Sequence, residues 1–155
     1  VGTSFVTIDG EHGFWMRDNV LVLWLRLLAL HVVEPARGYD STESVKRIHD
    51  RLLSISTISW GGCVPNVLPD VIAAPGGADL VRDAIHSLMR TLRQGPPILE
   101  TGAIQLLGFK EEPLFRANVN ATKLLEVGQA FLDLMDGKIL FTARSTDFIP
   151  GGSGS

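Results

Sequence analysis

From Val20 to Val33 the chain is apolar at every position except Arg26 and His31. A helix with so little polar surface has to be covered on most sides. The run therefore predicts a central helix over about Asn19 to Glu34, with Asp18 as its N-cap and Pro35 as its stop. A second helix opens at Asp40 or Ser41. It repeats Val45, Ile48, Leu52 and Ile55 on one face and turns Glu43, Lys46, Arg47, Asp50 and Arg51 outward. A third, over Ala78 to Gln94, gathers Leu80, Val81, Ala84, Ile85, Leu88, Met89 and Leu92 into one stripe and stops at Gly95, Pro96 and Pro97. A fourth, over Ala121 to Asp136, is capped by Asn120, buries Leu124, Leu125, Phe131, Leu132 and Met135, and ends at Gly137.

The intervening segments carry weaker patterns. "SFVTI", "LFRANV" and "KILFTAR" have the β-branched and aromatic content of short strands, and Ile98 to Phe109 fits either a strand or an irregular helical turn. "VPNVLPDVIAAPGG", with three prolines and two glycines, reads as a loop with room for one helical turn between the second and third helices. The fold expected is mainly α, with α+β as the alternative. It is a compact single-domain helical fold around the central apolar helix of about 19–34, with a small sheet at most. Residues 1–150 form the domain and 151–155 a flexible Gly/Ser tail.

Composition narrows the function classes. The 155 residues suit one domain with its own core. A formal net charge of −3 lacks the basic surface of a nucleic-acid binder. The longest apolar run is shorter than the ~20 residues that span a bilayer, so no membrane association is expected. A single cysteine, Cys63, cannot form an intramolecular disulfide and points to a reduced, cytoplasmic setting.

Cys63, in "SISTISWGGCVPN", is the candidate nucleophile of the sequence. A nucleophilic thiol needs a neighbouring histidine or a helix N-terminus to lower its pKa, and His31, His49 and His86 are the candidates. Its flanks match no papain-like or caspase-like signature, and cysteine is among the most buried residue types. The structural reading, with Trp60 anchoring the loop, is preferred. Asp79, Asp83 and His86 recur at i, i+4 and i+7 on the third helix. That spacing could clasp a divalent cation, but acidic side chains near a helix start beside Arg82, Arg90 and Arg93 fit a solvated face better. His31 and Glu34 lack a second ligand pair. No P-loop, dinucleotide-binding or serine-hydrolase motif occurs, and neither a cofactor nor a metal is expected.

Two features break local rules. Arg26 sits inside the most apolar helix, where a guanidinium needs a carboxylate or several carbonyls, or must send its head to water. "HGFWMRD" gathers His12, Trp15 and Arg17, residue types common in binding hot spots, although Phe14 and Trp15 read better as a lid over the core. On the fourth helix, Glu126, Gln129, Asp133 and Asp136 share the face away from the core. Asp133 and Asp136 fall in its last turns, where the macrodipole disfavours carboxylates and Lys138 relieves only part of the cost.

The phrases "HGFWMRDNVLVLWLRLLALHVVEP", "GGCVPNVLPDVI", "LLEVGQAFLDLMDGKI" and "STDFIPG" together resemble small immunity proteins that bacteria encode beside secreted polymorphic toxins. The resemblance covers most of the chain. It implies a role, stoichiometric inhibition of a cognate toxin by occluding its active cleft, and assigns no functional residue. The expected function is thus non-enzymatic protein binding. The acidic stripe, with Glu111 and Glu112 added, is the candidate surface for a toxin bearing a basic patch. The alternative is a small cysteine-dependent hydrolase or transferase using Cys63 with a histidine.

Overall fold

In the computed structural model the chain opens with an antiparallel hairpin, β1 (Thr3–Thr7) and β2 (Gly13–Arg17), with Phe5 opposite Trp15 and Val6 opposite Phe14. Alternation sends Val6, Phe14 and Met16 into the core. Gly13 is obligatory, because a Cβ there would lie 1.9 Å from the Val6 carbonyl oxygen. The residues described are 2–33, 43–57, 64–107 and 118–152.

The hairpin runs straight into α1 (Asp18–Val32). Arg17, the last strand residue, therefore occupies the cap position with extended backbone, and Asp18 is not the N-cap expected of it. Asp18 contributes differently. Its amide donates to the Gly2 carbonyl at 3.0 Å, and its carboxylate accepts from the Ser4 hydroxyl at 2.6 Å. Ser4 also accepts the Val64 amide at 2.8 Å, so one buried serine ties the hairpin, the helix start and the chain before α3 together.

As its sequence predicts, α1 is buried on most sides, and Leu23, Trp24, Leu28 and Ala29 have no solvent exposure. It packs against α2 (Glu43–Thr57) and α4 (Gly77–Gln94). The predicted apolar faces of both partners are buried in full: Val45, Ile48, Leu52 and Ile55 on α2, and the stripe from Leu80 to Leu92 on α4. Each such aliphatic side chain contributes about 1.5–3 kcal/mol relative to exposure. The proline-rich stretch holds one short helix, α3 (Leu68–Ala73), which lies against α4.

Beyond α4, Ile98 to Leu107 forms both structures that its sequence left open, a two-residue strand β3 (Ile98–Leu99) and then α5 (Thr101–Leu106). β3 pairs with β4 (Val119–Asn120), which shares only Val119 with "LFRANV", a predicted strand whose residues 114–117 lie outside the described residues. α6 (Ala121–Met135) follows with the Asn120 cap in place, its side chain accepting from the Thr122 amide at 3.1 Å. Phe131 of α6 meets Trp24 and Phe14 at centroid distances of 5.6 and 5.7 Å, joining α6 to α1 and the hairpin in one core. The indole N–H of Trp24 is buried there with no hydrogen-bond partner among the described residues.

"KILFTAR" is not a strand. It touches the hairpin through one bridge, His12 to Thr142, and through bonds from the Gly13 amide to Phe141 O and from Trp15 Nε1 to Ala143 O, both at 2.8 Å. It then turns at Thr142 to Ser145, which prevents a continuous ladder. The chain returns to α1 and α6, where Pro150 and Gly151 are buried. Gly151 lies so close that a Cβ would stand 2.8 Å from Val127 Cγ2 and 3.2 Å from Val20 Cγ1. The packed domain thus reaches into the first part of the Gly/Ser segment. The mainly α class holds: the described chain is six helices with two small two-stranded sheets. Glu34, Pro35, Asp40, Ser41, Trp60 and Cys63, to which helix ends and a candidate nucleophile were assigned, lie outside the described residues.

Candidate functional site

The acidic stripe on α6 exists as a face because its apolar positions recur at Leu124, Val127, Phe131 and Leu134, all buried. Glu126, Gln129 and Asp136 are exposed and Asp133 half-buried. Gln129 Nε2 donates to Asp133 Oδ1 at 2.9 Å, one helical turn on, and fixes that carboxylate along the helix. Asp136 is held from outside the helix, with Arg82 Nη1 of α4 donating to its Oδ1 at 2.5 Å. The dipole penalty expected at Asp136 is therefore offset by a cation from α4. Lys138 serves the helix end through its backbone, its amide donating to the Asp133 carbonyl at 2.9 Å. The stripe divides into an outer part, Glu126, Gln129 and Asp133, and Asp136, which belongs to the α4–α6 contact. Glu111 and Glu112 lie outside the described residues.

The histidines named as partners for Cys63 stand on three helices. His31, half-buried on α1, places Nδ1 3.1 Å from Ser87 Oγ of α4. His49 on α2 places Nδ1 3.1 Å from Asp50 Oδ1, and His86 is exposed on α4. Asp79 and Asp83 are exposed on α4 as well. Among the described residues, no three His, Cys, Asp or Glu side chains gather as a metal site, and no helix is long and apolar enough to cross a membrane.

The hairpin turn holds a polar cluster that the sequence reading passed over. Asp9 Oδ1 accepts the amides of Glu11 and His12 at 2.8 and 2.7 Å, and Oδ2 meets His12 Nδ1 at 2.9 Å. The His12 ring first, and then the two amides, hold the Asp9 carboxyl well below the usual carboxylate range, while Asp9 raises the His12 imidazole. The available signal was "DGEHG", where an aspartate two and three residues before free amides favours an Asx-type turn.

Arg26 is resolved as an internal tether. Its Nε donates to Ser56 Oγ and its Nη2 to Ser56 O, while Nη1 donates to Leu107 O. One guanidinium thus links α1 to the end of α2 and the end of α5, using carbonyls, as the sequence allowed. Phe14 is buried as the expected core cover, and Trp15 is half-buried beside Phe5 at 5.4 Å. Compared with known proteins, the chain matches no family model, no curated protein and no solved structure.

Proposed function

We propose that the protein is a non-enzymatic inhibitor of the immunity type, acting in the cytoplasm on a cognate toxin whose basic patch it covers. The observation that supports this reading most directly is the outer α6 face. There Glu126 and Gln129 stand exposed, and Asp133 is pre-oriented by Gln129 on a rigid helix seated in the core. A carboxylate held like that of Asp133 loses little freedom on meeting a cationic surface, and exposed acidic groups such as Glu126 accelerate encounter through long-range attraction. A toxin that handles nucleic acid or phosphate carries such a surface to hold its substrate, and the acidic face would occupy it in the substrate's place.

The test is reconstitution. The partner that co-purifies from the source cell at low salt is assayed alone and with the purified protein. One-to-one loss of the partner's activity is expected, with Cys63→Ser equally effective. Glu126→Lys combined with Asp133→Lys should slow association and flatten its salt dependence while the fold is kept. Inhibition lost in Cys63→Ser would instead favour the thiol enzyme. Association kinetics unchanged by charge reversal would return the α6 face to ordinary solvated surface.

A further inference from the structure

We draw no further inference here: the strongest candidate, the exposed apolar patch of Leu140 and Phe141 where the 138–152 segment crosses the hairpin, carries none, because nothing in the structure shows what covers it.

Discussion

Arg26 and Ser56 are bonded twice, guanidinium Nε to the serine hydroxyl and Nη2 to the serine carbonyl, each at 2.9 Å. The same hydroxyl donates onward to the Leu53 carbonyl at 2.9 Å, so Ser56 relays between an internal cation and the last turn of α2. Burial pulls the Arg26 pKa below the ordinary guanidinium value, yet an arginine keeps its charge in proteins. Ser56→Ala should therefore leave Nε without this acceptor and cost about 1–3 kcal/mol. Arg26→Lys should cost a similar amount, since one ammonium cannot reproduce a planar fork that spans Ser56 and Leu107. Urea unfolding midpoints at constant m-value check both.

Leu28 and Leu30 sit two positions apart on α1 and should respond in opposite ways to truncation. Leu28 has no exposure, whereas Leu30 is 46% exposed. Leu28→Ala is expected to cost about 2–5 kcal/mol through transfer and cavity terms. Leu30→Ala should stay within about 0.5 kcal/mol, as surface changes do. Equal losses would mean that Leu30 is covered in solution.

Gly128 on α6 is a packing requirement. A Cβ there would stand 2.8 Å from Met89 Cγ and Sδ and 3.0 Å from the Trp24 ring. Helix propensity favours alanine over glycine by about 1 kcal/mol, but overpacking of a dense core costs about 1–3 kcal/mol. Gly128→Val, with a larger clash and a poorer propensity gain, should lower the thermal midpoint clearly. Shortening the neighbour in a Gly128→Val/Met89→Ala double variant should recover part of the loss, which a double-mutant cycle would read as coupling.

The Asp9–His12 pair gives the hairpin turn a pH signature. The His12 pKa is raised above its ordinary 6.5, so its contribution is complete below 6.5 and is lost as pH rises through the higher folded value. The Asp9 pKa is depressed from 3.8, so its contribution is present above 3.8 and is lost as pH falls through the lower folded value. The pair is thus fully formed between these two limits. A ring-proton titration should give His12 a midpoint above 6.5, and Asp9→Asn should bring it down.

What the sequence made legible was periodicity. The faces of α2 and α4 and the burial of α1 follow from spacing alone, because a helix with an apolar stripe has few ways to bury it. On α6 the stripe runs through Leu124, Val127, Phe131 and Leu134, and Leu125 and Met135, expected to be buried, are half-buried at its edges. β2 was missed because "GFWMR" is short, and only pairing with β1 makes it a strand. The Arg82–Asp136 pair was missed for a related reason. Reading one helix at a time, Arg82 has acidic neighbours on α4 and Asp136 has Lys138, whereas the observed contact depends on how α4 and α6 cross. Patterns within an element are local, and sites between elements are not.

The seat at the start of α1 ties two distant parts of the chain to one turn of helix. Gly2 supplies the carbonyl that receives the Asp18 amide, and Gly151 is wedged against Val20 and Val127. Lifting the 138–152 segment would uncover Val20 beside the turn that anchors Gly2, so opening of one segment is expected to lower the protection of the other. The Asp18 amide should exchange with solvent at a rate governed by both, and a bulky residue at position 151 should accelerate it from more than a hundred residues away in sequence.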